Sequence, residues 1–249
     1  MKIFNDEKLK QINCLDERFY STDGEKFYPS VTTILEVYPK GFGFEQWLKD
    51  VGDKAKDIAD RAAAFGSKVH DATERLNKGE ELSWIEEGKE NYTLEEWKSL
   101  LKYSDFWAKT KPELIANEQA YCSEKLGYGG TIDRVVRIIG ELWLIDIKTS
   151  NYIHTSHELQ LAAYAQMWNE FNPKYEIKNT GILHLKAATR TKKIDPAKNI
   201  FQGVGWQLKS FDRHYKDAFK ILQHTQAIWK EENPNYKPLN MIYPSTIKL

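Results

Sequence analysis

The stretch Leu142-Trp143-Leu144-Ile145-Asp146-Ile147-Lys148 constrains the fold more than any other part of the chain. Unbroken apolar residues that end in charge read as a central strand, covered on both faces, whose tip enters a site. Side chains two apart in a strand share a face, so Asp146 and Lys148 emerge together while Ile147 packs behind them and keeps its carbonyl available. Gly129 to Ile139 alternates well enough to be the preceding strand, with Gly140-Glu141 as the turn. A tight hairpin at that turn sets Asp133 across from Lys148 and diagonal to Asp146, so three charged groups converge. Two carboxylates and a backbone carbonyl are hard oxygen ligands suited to Mg²⁺ or Mn²⁺. A lysine beside them can orient or help deprotonate a metal-bound water, or stabilise charge developing on phosphorus. An Asp-x-Lys tripeptide by itself reads first as an ordinary ion pair on a strand surface.

The rest of the chain supplies helices and further strands. Phe19-Tyr20 and Glu25-Lys26-Phe27-Tyr28 flank an Asp23-Gly24 turn, and Pro29 to Leu35 opens a helix capped by Ser30. Phe44 to Leu76 reads as two helices broken near Gly52 or near Phe65-Gly66, and Leu94 to Thr110 as a helix stopped by Pro112. Leu114 to Cys122 is a strand, Ser156 to Phe171 a helix, Gly181 to Leu185 a strand and Ser210 to Lys230 a closing helix. No linker-like tract divides the chain, which predicts one domain over residues 1–249. Its part from about 30 to 110 is mainly helical and is followed by an α/β core from about 112 to 232. Thirty-six Lys and Arg balance 36 Asp and Glu, which excludes a simple polycation. The amino-terminal residues Met1 to Glu7 lack a signal-peptide core and no apolar run is long enough to span a bilayer, so the expectation is a cytoplasmic protein without a membrane partner. Cys14 and Cys122 are too few for a four-cysteine zinc or iron–sulfur site, and nothing in context supports a disulfide between them.

Four short motifs fall in a fixed order: Gly66-Ser67-Lys68-Val69-His70, Gly130-Thr131-Ile132-Asp133, Asp146-Ile147-Lys148 and Gln160-Leu161-Ala162-Ala163-Tyr164. In this order the sequence resembles the PD-(D/E)xK nuclease superfamily, particularly its RecB-like exonuclease branch. Pro29-Ser30-Val31-Thr32-Thr33-Ile34-Leu35 is similar to the Ser-Val-Thr element of phage and mitochondrial single-strand exonucleases in that branch. The resemblance implies a restriction-endonuclease-like α/β core, a central mixed sheet flanked by helices. It also implies that Asp133, Asp146, His70 and the Ile147 carbonyl hold Mg²⁺ or Mn²⁺, that Lys148 is catalytic, and that Glu118 matches a commonly acidic position. The expected activity is metal-dependent DNA exonuclease action on single-stranded ends, in phage-type replication, recombination or repair. A replication or recombination protein is an expected partner, and a bacterial host cell the location for a phage-derived chain. Members with an iron–sulfur cluster carry four cysteines, so no such cluster is expected here.

Several features carry competing readings. His70 shares a helix face with Gly66 and Glu74 and reads as a metal ligand because the other motifs follow it in order; His154, His157, His184, His214 and His224 stay unassigned. Gln160 and Tyr164 lie one helical turn apart and read as strand-orienting groups, against a packing role for Tyr164. Ser30, Thr32 and Thr33 can bind phosphate, although an ordinary cap explains Ser30 as well. Between 186 and 198, Lys186, Arg190, Lys192, Lys193 and Lys198 face only Asp195, and this run reads either as a nucleic-acid track or as a solvated loop. The rival functions are a structure-specific endonuclease with the same site and a non-catalytic DNA-binding or recombination-partner protein on a nuclease fold. An intact lysine argues against the second.

Overall fold

The computed structural model describes residues 3–6, 9–14, 17–238 and 248, with side chains from residue 18 onward. Met1, Lys2, Glu7 and the side chain of Cys14 lie outside the described residues. Strands β1 (Ile3–Asp6), β2 (Leu9–Cys14), β3 (Glu17–Ser21) and β4 (Tyr28–Pro29) form an antiparallel sheet. Ser30 then caps the single turn α1 (Val31–Ile34), its Oγ accepting from Thr33 N at 2.9 Å. Helices α2 (Phe42–Val51) and α3 (Ala55–Asn77) break at Gly52, where the backbone takes φ +59°, and α3 runs straight through Gly66. The small hairpin β5 (Ile85–Glu86) and β6 (Lys89–Glu90) leads into α4 (Leu94–Thr110), which starts on a Thr93/Glu96 capping box.

The core is a seven-stranded sheet in the order β11-β12-β13-β10-β9-β8-β7. It contains β7 (Glu113–Ser123), β8 (Tyr128–Ile138), β9 (Glu141–Lys148), β10 (Asn179–His184), β11 (Lys193–Asp195), β12 (Ile200–Gly203) and β13 (Trp206–Lys209). Every pair is antiparallel except β9 with β10, which are joined by α5 (Thr155–Phe171). Helix α6 (Tyr215–Glu232) is the last element among the described residues. One face of the sheet packs Leu144, Tyr128 and Ile182 against α1, α5 and α6; the other packs Trp143, Ile145 and Leu183 against α3 and α4. Strand β9 is covered on both sides, as its composition predicts. This is the expected mixed sheet flanked by helices.

Two expectations are corrected. The β8–β9 turn is Ile139-Gly140, with φ +50° and +83°, and the ladder pairs Ile138 with Glu141 through Arg134 with Ile145. A type I′ two-residue turn needs positive φ at both central positions, and it takes glycine second. Carried one residue further, that register sets Asp133 against Asp146 rather than Lys148. The last helix begins at Tyr215 instead of Ser210, because His214 Nδ1 caps it by accepting from Lys216 N (3.2 Å), while Phe211 packs on the core from a loop. Residues 193–209, to which the sequence pattern assigns no element, form three short strands; the three or four residues in each are too few to show a period.

Two glycines of β8 are fixed by aromatic neighbours. A Cβ on Gly129 would lie 2.3 Å from Tyr20 Cγ, and one on Gly130 would lie 2.4 Å from Tyr164 Cε1. Both rings are buried and cannot withdraw. We expect Gly130→Ala to destabilise the protein by about 1–3 kcal/mol in urea titrations. Adding Tyr164→Leu should recover part of that loss, whereas strictly additive losses would contradict the clash.

Candidate active site

The site forms where the β8–β9 ladder opens. Beyond the Arg134–Ile145 pair, Ile147 N donates to Asp133 Oδ2 at 2.7 Å. The Ile147 carbonyl, on the other side of the same residue, accepts from His70 Nε2 at 2.8 Å. His70 Nδ1 faces Asp133 Oδ2 at 3.3 Å and Glu118 Oε1 at 3.8 Å. Asp146, only 2 % exposed, lies with Oδ2 2.7 Å from Lys148 Nζ, a close buried ion pair. His70, Glu118 and Asp133 each offer a ligand atom within 4.8 Å of the others. The carboxylates of Glu118, Asp133 and Asp146 with the nearby Ile147 carbonyl are an oxygen-rich set that suits Mg²⁺ or Mn²⁺, and the His70 imidazole adds a nitrogen donor beside them.

The charges hold one another. Burial would lower the His70 pKa, but the neighbouring Asp133 and Glu118 carboxylates outweigh it and raise the imidazole to about 9. Burial lifts the Asp133 and Asp146 carboxyl groups above their ordinary range, against the pull of His70 and Lys148 respectively. Burial also works against the Lys148 ammonium, yet Asp146 and Asp133 prevail and keep its pKa above the usual lysine value.

Beneath the acids lies Arg134, 2 % exposed. It donates from Nη1 to Glu118 Oε1 (3.1 Å) and the Asp133 carbonyl, from Nη2 to Thr73 Oγ1 (3.0 Å), and from Nε to Asn77 Oδ1 (2.7 Å) and Tyr103 Oη (3.1 Å). Tyr103 in turn donates to Asn77 Oδ1. Glu118 needs this anchor: it is a strand residue with φ +47°, a conformation that non-glycine residues rarely adopt.

The sequence-derived candidates divide into two groups. His70, Glu118, Asp133, Asp146, Ile147 and Lys148 come together. Tyr164 is buried against Gly130, and its hydroxyl accepts from Gln160 Nε2 at 3.2 Å, so only Gln160 of that pair lines the neighbouring cleft. Ser30 is buried and capping, while Thr32 is exposed and lines the same cleft. Glu74 pairs with Lys78 instead of joining the cluster. The 186–198 run is divided. Lys186 sits over the Phe65 ring near the tip of β10, and Lys193 to Lys198 occupy the sheet edge farthest from β7, where charge blocks strand addition. Arg134 escaped the sequence reading, although it directly follows Asp133; an arginine in a strand carries no mark of burial. His157 did too, and burial, then the Lys148 charge, lowers its pKa to about 4.

The metal-free protein should lose stability as pH rises. With a folded pKa near 9 against 6.5 unfolded, the His70 contribution is complete below pH 6.5 and lost by about pH 9. Chemical denaturation in EDTA should show a decline of no more than about 3 kcal/mol across this window. His70→Gln should flatten it, and an unchanged slope in that variant would refute the assignment. Arg134→Met should cost about 3–5 kcal/mol by the same measurement, because it leaves Glu118 and Asn77 without their buried cation; Arg134→Lys should cost less.

The family model described as the PD-(D/E)XK nuclease superfamily matches residues 44–233. No curated protein matches the chain.

Proposed function

The chain belongs to the PD-(D/E)XK nuclease superfamily, and from that premise we propose that it is a metal-dependent DNA exonuclease of the RecB-like branch, acting on unpaired strand ends. The observation that supports this reading best is the convergence of Asp133, Asp146, Lys148, Glu118 and His70 at the opening of one hairpin ladder. A binding module needs no lysine paired to a buried aspartate. The motif order from Gly66 to Tyr164 supports the branch, and with it a role in phage-type replication, recombination or repair.

Asp133, Glu118 and His70, with Asp146 and the Ile147 carbonyl beside them, would hold one or two Mg²⁺ or Mn²⁺ ions. Such an ion supplies a water of lowered pKa and neutralises phosphate charge. Water adds to phosphorus and the P–O bond to one sugar breaks, leaving a phosphate monoester and a hydroxyl. Lys148, held as an ammonium by Asp146, brings positive charge to the phosphate oxygens as negative charge builds there. Asp133 keeps the strand tip open by occupying Ile147 N, and His70 braces the Ile147 carbonyl from α3. Gln160 lies on the helix after β9, where its amide can contact the strand.

End-labelled DNA with Mg²⁺ or Mn²⁺ tests the reading. Asp146→Ala and Lys148→Ala should each reduce hydrolysis by about 10²–10⁴-fold, and activity unchanged in both would refute the site. A closed single-stranded circle should resist digestion. Persistent cutting of that circle would replace the exonuclease by an endonuclease using the same residues.

A further inference from the structure

A cleft of about 670 Å³ opens beside Lys148, between α2 and the start of α5. Its size falls within the roughly 300–1,000 Å³ of small-ligand sites, enough for a nucleotide or two but not for a duplex segment. Lys148 and Gln160 form the wall shared with the reaction centre, Thr32 and His157 add polar groups, and Phe44 and Lys40 close the far side. Glu36 also faces the cleft, so it is not uniformly basic.

Helix α2 is otherwise unexplained. None of its side chains is buried, yet it carries three aromatic residues. Phe42 is 75 % exposed, and Phe44 and Trp47 form a half-buried ring pair with centroids 5.6 Å apart. Lys40 Nζ stands 4.9 Å from the Phe44 centroid. Aromatic residues on a helix that contributes nothing to the interior point to a ligand with flat, stackable groups. An adjacent cation, and continuity with a site for phosphodiesters, give that ligand a negative backbone.

We propose that this cleft binds the unpaired strand next to the scissile phosphate, with Phe44 stacking on a base and Lys40 holding a flanking phosphate while Lys148 faces the scissile one. It rests on the nuclease reading above for the identity of the ligand. The cleft admits bases only when they are unstacked from a complementary strand, so it selects single strands by shape rather than by base identity. Lys40 and Phe44 contribute grip, and the chemistry stays with the groups at the ladder opening.

The test is fluorescence anisotropy with a 5′-fluorescein-labelled dT12 and the matching 12-base-pair duplex, in EDTA so that nothing is cut. The wild-type protein should bind dT12 at least tenfold more tightly than the duplex. Phe44→Ala should weaken dT12 binding about 5- to 20-fold, the range expected for one lost stacking contact, while Phe44→Trp retains it. Lys40→Ala should weaken binding a few-fold and reduce the salt dependence by about one counterion. Thermal midpoints should match wild type, since α2 buries no side chain; if Phe44→Ala nevertheless melts early, the exposed Lys40→Ala variant decides. Wild-type affinity in both variants, no binding of dT12, or equal affinity for the duplex would overturn the proposal. Binding that depends on Phe44 without hydrolysis in Mg²⁺ or Mn²⁺ would instead retain the cleft and defeat the nuclease reading.

Discussion

The hydrogen bond from Ile147 N to Asp133 Oδ2 is the contact on which the site depends. A hairpin ladder normally continues until one strand ends, and each further pair would bring backbone to backbone. Here a carboxylate takes the place of the partner carbonyl, so the strands part while both remain buried. That substitution leaves the Ile147 carbonyl free to accept from His70 on α3, and it holds Asp133 beside Glu118 of β7. Two strands and a helix are thereby joined through one residue's peptide groups. The Ile139-Gly140 turn places Asp133 at that point, since a two-residue hairpin fixes the register of everything behind it.

Gathering acids in an interior costs energy, because their mutual repulsion and desolvation both favour protonation. The protein meets this cost from two sides. On the solvent side His70 and Lys148 pair with Asp133 and Asp146. On the buried side Arg134 spreads five hydrogen bonds over Glu118, the Asp133 carbonyl, Thr73, Asn77 and Tyr103, and so ties β7 and β8 to α3 and α4. Its fixed fork suits this task in a way that a lysine's single nitrogen does not. The unusual φ of Glu118 fits the same account: the backbone bends so that its carboxylate reaches both the guanidinium and the shared acidic pocket.

Much of this was legible in the sequence because it depends on local period. The unbroken Leu142-Trp143-Leu144-Ile145 run dictates a strand covered on both sides, and the two-residue period puts Asp146 and Lys148 on one edge of it. The cap at Ser30 and the stop at Pro112 mark their helices correctly. What the sequence hid depends on partners far along the chain. Whether Gly140 is the first or second residue of its turn changes the partner of Asp133, and both choices satisfy the same alternation. Arg134 lies in a strand beside Asp133 and is internal only because Thr73, Asn77 and Tyr103 arrive from two helices. Tyr164 keeps helical spacing with Gln160, but the ring points to the space left by Gly130, so the pair divides into a packing member and a cleft member.

The zero net charge belongs to the same logic. A broad positive field would draw any polyanion to the surface without selecting its form. In this chain Lys148 lies at the end of β9, Lys102 donates to the Leu185 carbonyl just past β10, and Lys186 rests on Phe65 of α3. These cations are each held by nearby structure, and Lys40, over the Phe44 ring, stands across the cleft on the approach to α2. Acids occupy the pocket between β7, β8 and β9, so a phosphate meets attraction only where a lysine faces it or a cation has reversed the local sign. Recognition under those conditions rests on short-range fit. That requirement gives aromatic residues on an exposed helix a use, because stacking needs no long-range field and is lost when the bases are already paired.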